Sequence, residues 1–272
     1  MPELPEVYTI TKDLKKHVCG HVIEKVTVDK NYAAIFPSKK DFIKGVTGKE
    51  IKTVGRIAKN ILIQLENDTF IAVHLAMTGQ IMLDNPEQKW VKVAFTLKKS
   101  GETRDLSFGD VRMFGKVVLM SKEEVKQLRE KYGPEPINEN LTPQEFLNQL
   151  QSKKTKVKGA LLEQSIVAGL GNIYATDALF LAKIHPEKST KDVTLLEATK
   201  LLEAARSVLK EGIRHRGSTL PDKMYVDVFG KPGKQQEHFK IYLKKRCPRC
   251  KSSVNVIKVS GRGTYFCGRC QK

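Results

Sequence analysis

The chain has 272 residues, with 48 Lys and Arg against 30 Asp and Glu, a formal net charge of +18. That length suits about two domains with a buried core, and no apolar run approaches the ~18–20 residues that span a bilayer. Residues 1–136 carry a net +5 and residues 137–272 a net +13, which points to a polyanion, nucleic acid ahead of an anionic membrane surface, because no basic amphipathic helix with an aromatic face is present.

The opening Met-Pro-Glu-Leu-Pro-Glu is acidic and proline-rich, unlike a secretory signal, so a cytoplasmic location is expected. From Pro5 to Val18 the pattern predicts a helix: Val7, Leu14 and Val18 mark one apolar face, Glu6 suits the positive N-terminal end, and Gly20 suits the stop. Short runs rich in Val, Ile and Phe follow at Val22–Val28, Ile61–Leu65, Phe70–His74, Val91–Leu97 and Val117–Met120. Separated by Gly, Asn and Asp, they read as strands of a sandwich or barrel. A helix is predicted over Lys122–Lys131, and Gly133-Pro134-Glu135-Pro136 punctuates the chain. The pattern then turns helical, with Thr142-Pro143 opening one helix and others predicted over Lys156–Gln164, Ile173–Ala182 and Leu195–Arg214. Gly217–Lys234 is a Gly, Pro and Lys-rich loop, and a cysteine module closes the chain. The reading is α+β, divided at 1–133, a linker at 134–136, a helical region with its loop at 137–239, and the module at 240–272.

Cys247-Pro-Arg-Cys250 and Cys267-Gly-Arg-Cys270 leave 16 residues between the pairs. That spacing suits a tetrahedral four-cysteine zinc site on a β-hairpin. Nothing resembling a βαβ redox unit surrounds the pairs, which sets aside redox-active dithiols. Four thiolates leave no open position for water, so one structural zinc ion is expected. Lys244, Lys245, Arg246, Arg249 and Lys251 crowd the module, and Arg262 falls where the hairpin should turn; such a surface suits phosphate. At the other end, removal of Met1 would leave Pro2 as a free secondary amine. An α-amine has a pKa of ~8 against ~10.4 for lysine, so more of it is unprotonated at neutral pH. Attack on a sugar C1′ by a secondary amine gives an iminium, an electron sink for elimination. Glu3 stands next to it as a candidate acid or base. By residue type alone, Pro2-Glu3 is a helix start, Met77 and Phe114 are core, and His74 is a strand histidine.

Seven stretches stand out together: Met1-Pro-Glu-Leu-Pro-Glu-Val7, Ala58-Lys59-Asn60, His74-Leu-Ala-Met77-Thr-Gly79, Asp110-Val-Arg112-Met-Phe114-Gly115, Gly133-Pro-Glu-Pro136, Gly169-Leu-Gly171-Asn172-Ile-Tyr174, and Gly261-Arg262-Gly263 with the four cysteines. In these the chain resembles the formamidopyrimidine-DNA glycosylase family. The stretches run in order along essentially the whole chain. Gly169-x-Gly171 alone is a poor dinucleotide loop, because Tyr174 stands where a third glycine would. Leu4 favours this branch over the related endonuclease VIII branch.

The resemblance implies an N-terminal antiparallel β-sandwich with flanking helices, a helix–two-turn–helix domain with a lesion-covering loop, and a zinc-finger hairpin. It implies a monomeric base-excision-repair enzyme that acts on damaged double-stranded DNA in a bacterial-type, nucleoid-associated setting. The activity implied is excision of 8-oxoguanine and formamidopyrimidines with β,δ-elimination. Pro2 would be the nucleophile, Glu3 the acid, and Glu6 a buried support. Lys59 would bind phosphate and assist β-elimination, and Arg262 would bind phosphates and assist δ-elimination. Met77, Arg112 and Phe114 would intercalate, since a base must leave the stack before C1′ can be attacked. Asn172, His74, Lys153 and Lys158 would contact the DNA backbone. The chain departs from many members at Tyr8, at Trp90-Val-Lys92 in place of a His-x-His, at Met113, and in a slightly longer Leu220–Met224. An oxidised-pyrimidine glycosylase and a non-catalytic zinc protein that binds nucleic acid are the competing readings.

Overall fold

Helix α1 (Leu4–Val18) starts with reciprocal capping: the Glu3 amide donates to the Glu6 carboxylate at 2.8 Å, and the Glu3 side chain accepts from the Glu6 backbone. Its buried face, Val7, Ile10, Leu14 and Val18, has the 3–4-residue spacing of a helix on a core. The structure is a computed structural model describing residues 1–272, and the chain divides into two units, Met1–Arg129 with His215–Lys234, and Glu130–Arg214 with Gln235–Lys272.

The first unit is a β-sandwich. One sheet has the order β1 (Val22–Val28), β7 (Val91–Lys99), β8 (Glu102–Asp110), β6 (Gly79–Leu83); the other has β2 (Ile35–Phe36), β9 (Lys116–Met120), β5 (Phe70–His74), β4 (Asn60–Leu65), β3 (Ile51–Ile57). All pairs are antiparallel except the short β2–β9 pair. Alternate residues such as Val93, Phe95 and Leu97 point inward and join Ile61, Ile63, Val73 and Ile81 in one cluster. Each fully buried side chain of this kind stabilises by ~1.5–3 kcal/mol. Helix α1 packs on β3 and β4, which explains why β4 is buried at nearly every position. Helix α2 (Lys39–Val46), capped by Ser38, and helix α3 (Lys122–Glu130) complete the elements of this region.

The segment His215–Lys234 corrects the sequence reading, which placed it with the helical region 137–239. Arg216 forms ion pairs with Asp13 of α1 and with Asp227. Tyr225 and Val228 enter the sandwich core, and the Val228 carbonyl accepts from the Leu83 amide of β6 at 2.8 Å.

In the second unit, α4 (Pro143–Gln151) carries a capping box from Thr142 and Glu145. Helices α5 (Val157–Leu162), α6 (Asn172–Ala182) and α7 (Leu195–Arg214) follow. Helix α6 is buried nearly all round, so it has no polar face and takes the central position. Its Asp177 carboxylate accepts from the backbone amides of Lys240, Ile241 and Tyr242 at 2.9–3.0 Å, which anchors the strand-and-turn module that follows. That module is the hairpin β10 (Asn255–Val259) and β11 (Arg262–Phe266).

Candidate active site and nucleic-acid interface

At the start of α1 two carboxylates lie out of solvent: Glu3 is 2% and Glu6 3% exposed. Pro2 is buried beside them, whereas Met1 is half exposed. Glu6 uses both oxygens. Oε2 accepts from the Glu3 amide, and Oε1 accepts from the Ser218 amide at 2.7 Å. Gly217 makes this approach possible. Its φ is +80°, and a Cβ there would lie 2.8 Å from Glu6 Cγ and Oε1. Burial and then the Glu6 carboxylate push the Tyr225 phenol well above its ordinary value, so it remains a neutral donor to the Arg216 carbonyl at 2.8 Å. The loop 215–234 therefore holds the carboxylate that holds Glu3.

Lys59 lies in the two-residue turn between β3 and β4, where Ala58 takes φ 50° and Ile57 pairs with Asn60. Like Glu3, it is buried, at 7% exposed. His74 ends β5, opposite Asn60 on one side and Lys116 on the other. Burial pushes its pKa down, and the charges of Lys59 and Lys116 push the same way. Its Nδ1 accepts from the Ala76 amide at 3.2 Å, so the neutral ring carries its proton on Nε2.

The structure brings Met77, Arg112 and Phe114 together although 35 residues separate the first two. Arg112 Nη1 lies 3.4 Å from Met77 Sδ, and its guanidinium stacks over the Phe114 ring at 4.8 Å. Phe114 is 55% exposed, a large aromatic left at the tip of a loop rather than the core residue its type suggested. A cavity of about 370 Å³ opens beside them, lined in part by Thr78, Gln80, Trp90, Val111 and Met224. Gln80 Nε2 donates to the carbonyls of Lys223 and Met224 at 3.3 and 3.4 Å, which ties the tip of the loop 215–234 to β6.

In the second unit, Asn172 opens α6 and its Nδ2 donates to the Gly263 carbonyl at 3.0 Å, beside Arg262 in the hairpin. Ser260 and Gly261 both take positive φ, 49° and 74°, as a two-residue hairpin turn with the strand twist demands; the exposed Arg262 follows at once. Lys153 is exposed and paired with Glu163. Lys158 corrects its expected contact with the DNA backbone. It is fully buried, and its Nζ donates to the Asn172 carbonyl at 2.9 Å and to the Thr176 hydroxyl, so it braces the start of α6 from inside. The sulfurs of Cys247, Cys250, Cys267 and Cys270 lie within 4.8 Å of one another. Four thiolates so clustered are the donor set of a closed tetrahedral zinc site, and the Ser252 hydroxyl lies 3.0 Å from Cys250 Sγ. No helix is long and apolar enough to cross a membrane.

Sequence reasoning gave no role to Asp13, Asp110, Asp177, Arg216, Gly217 or Ser218. The only local signal was for Asp110 and Gly217: an aspartate ending a strand just before Val-Arg-Met-Phe-Gly, and a glycine between Arg216 and Ser218.

Comparison with known proteins assigns this arrangement first to a class. Residues 1–117 match the formamidopyrimidine-DNA glycosylase N-terminal domain, residues 132–223 the helix–two-turn–helix domain of the same enzymes, and residues 244–272 the zinc finger found in FPG and IleRS. These define a zinc-bearing DNA glycosylase of base excision repair, a class in which lyase activity is typical. Formamidopyrimidine-DNA glycosylases from Desulforamulus reducens and Chloroflexus aurantiacus are 39% and 37% identical, covering 100% of this chain and 99% and 98% of their own. A Lactococcus lactis Fpg in complex with DNA containing an abasic site has a TM-score of 0.89 at 34% identity, with both chains covered completely. A complex of the Lactococcus lactis enzyme with Fapy-dG DNA scores 0.87 at 34% identity, covering 99% of this chain and 100% of that one. The chain belongs to the formamidopyrimidine-DNA glycosylase family, and the cysteine cluster is its one structural zinc site.

Proposed function

We propose that the chain, as a monomer in a bacterial cytoplasm, excises oxidised purines from double-stranded DNA and then cuts the strand at the abasic site through an adduct on Pro2. The substrates are 8-oxoguanine opposite cytosine and ring-opened formamidopyrimidines. The observation that carries this reading is the start of α1, where Pro2 precedes two buried carboxylates and Met1 projects toward solvent. After Met1 is removed, the proline nitrogen attacks C1′ and the bond from C1′ to the base breaks. The base leaves and takes up a proton. Glu3 protonates the ring oxygen, the sugar opens, and an iminium joins Pro2 to C1′. Loss of a C2′ proton expels the 3′ phosphate, and loss of a C4′ proton expels the 5′ phosphate, leaving a one-nucleotide gap. Hydrolysis then frees the enzyme.

The remaining roles follow chemistry and position. Lys59 neutralises phosphate during the first elimination and Arg262 during the second. His74 donates its Nε2 proton to phosphate, and Asn172 with Lys153 offers further donors to the backbone. Met77, Arg112 and Phe114 enter the duplex as the lesion leaves, with Arg112 bonding the orphaned cytosine. The loop 220–224 covers the displaced base. In this reading residues 1–133 with the loop 215–234 carry the chemistry, 137–214 grip DNA through the helix–two-turn–helix elements, and 240–272 present Arg262.

Borohydride trapping on 8-oxoguanine duplex, followed by mass mapping of the cross-linked peptide, tests the proposal. The expected cross-link is on residue 2. A cross-link on a lysine overturns the assignment of the nucleophile, and normal excision by Glu3→Gln overturns that of the acid. Faster excision of thymine glycol than of 8-oxoguanine overturns the substrate class.

A further inference from the structure

Asp110 ends β8 with 1% of its surface exposed, and no step proposed above uses it. Its carboxylate is surrounded by donors from two loops. Oδ1 accepts from the Thr78 hydroxyl at 2.5 Å and from the Arg112 amide at 3.2 Å, and Oδ2 accepts from the Gly115 amide at 2.7 Å. Thr78 follows Met77 in the loop between β5 and β6, and Arg112 to Gly115 lie in the five-residue loop between β8 and β9. The far end of the second loop is fixed as well, since the buried Tyr32 hydroxyl donates to the Gly115 carbonyl at 2.8 Å. Gly115 itself is packed too closely for any side chain: a Cβ would lie 2.7 Å from Phe108 Cζ and 3.0 Å from the His74 carbonyl. Met113 takes φ 56°, so the loop reverses direction between Arg112 and Phe114 and leaves both side chains exposed.

We infer that Asp110 is the positioning residue of the intercalating group: one buried carboxylate locks the Met77 loop to the Arg112–Phe114 loop, so that three side chains from two loops enter the duplex as a single preset wedge. The inference rests on the reading that these three side chains intercalate. The physical reason lies in timing. Unstacking a base pair costs a few kcal/mol, and a wedge that must first be ordered adds its own conformational entropy to that barrier. Two loops tied through a charge-assisted network have already lost that entropy on folding. Asp110 touches neither sugar nor base and acts only through the loops it joins.

Asp110→Asn tests this at constant size. An amide presents one acceptor and one donor, so either the Gly115 amide or the Arg112 amide then faces an N–H. Three readouts separate a positioning role from general damage. Unstacking is followed by 2-aminopurine placed beside the lesion, base removal by single-turnover excision of 8-oxoguanine from duplex, and sugar chemistry by borohydride trapping on a single-stranded abasic oligonucleotide, which has no stack to breach. The expected result is a loss of about tenfold to a hundredfold in both the unstacking rate and duplex excision, the size of one lost charge-assisted hydrogen bond, with single-stranded trapping unchanged.

Thr78→Val removes one arm of the network with less risk to folding and should show the same split, which Thr78→Ser should restore. Unchanged unstacking in both Asp110→Asn and Thr78→Val, while Phe114→Ala is impaired, overturns the inference alone. Parallel loss of single-stranded trapping also overturns it, because the defect is then structural. Normal unstacking and excision by Phe114→Ala and Arg112→Ala together overturn the intercalation reading, and this inference with it.

Discussion

Glu6→Gln probes the support beneath the reacting groups while barely altering shape. The native carboxylate accepts from the Glu3 amide at 2.8 Å and from the Ser218 amide at 2.7 Å, one bond to each oxygen. Glutamine has a single acceptor oxygen, so one of those amides must face an NH2 group. A hydrogen bond to a charged group contributes about 1.5–3 kcal/mol, and a buried donor left unpaired costs about 1–3 kcal/mol; because the two overlap, a loss of about 2–4 kcal/mol is expected. If the whole of it falls on the geometry of the reacting groups, single-turnover excision slows by ~30- to 900-fold, at 1.36 kcal/mol per decade of rate. If it falls on the tether to the loop 215–234, the melting temperature drops instead. The two bonds diverge from one carboxylate, so both effects are expected. With the loss divided about equally, excision should slow by about 5- to 30-fold and melting should fall by a few degrees. Trapping on abasic DNA should decline with excision, because the same backbone sets Pro2 and Glu3. A variant with wild-type excision and wild-type melting refutes the claim that this carboxylate holds the site.

His74 should titrate by NMR below its ordinary 6.5, as the Nε2–H tautomer. A folded pKa below the unfolded one stabilises the protein above pH 6.5, and the contribution is lost as pH falls through that value toward the folded pKa; a measured pKa at or above 6.5 contradicts this. Arg262→Gln should lower the slope of log K against log salt by about one, whereas Lys158→Met, with its ammonium committed inside the protein, should leave the slope unchanged. Asp177→Ala strips the acceptor from three backbone amides and should lower hydrogen-exchange protection at Lys240, Ile241 and Tyr242 about a hundredfold; unchanged protection would show that the module is anchored elsewhere. Zinc chelation should release protection over the last ~30 residues and spare the sandwich, since a four-thiolate site couples metal to local folding; global unfolding on chelation would contradict it.

What could be read from the sequence was whatever a short stretch of chain encodes by itself. The cysteine spacing specified the zinc module. The periodicity of α1 and α7 gave those helices nearly to the residue, and the runs now seen as β1, β5 and β7 announced a sandwich. Strands β3 and β8 escaped notice because their sequences, Ile-Lys-Thr-Val-Gly-Arg-Ile among them, mix charge and glycine into faces that turn to solvent, and β6, Gly-Gln-Ile-Met-Leu, is a short run that opens on a glycine. The departures at Lys158 and at the loop 215–234 have a common cause. A lysine in a basic stretch looks solvated until the Asn172 carbonyl and Thr176 hydroxyl, on another helix, are known to face it. A Gly- and Lys-rich loop looks like an appendage of the preceding helix until Arg216 is seen to reach Asp13 and Ser218 to reach Glu6, partners more than 200 residues away. Composition reports the charge on a side chain but not whether a distant backbone group has already claimed it. The same blindness hid the part played by Asp110: both loops stand out as motifs, but neither sequence shows that its carboxylate joins them. Where a site is assembled from several loops, the residues that do chemistry carry short motifs. The residues that hold them in place are recognisable only once the loops have met.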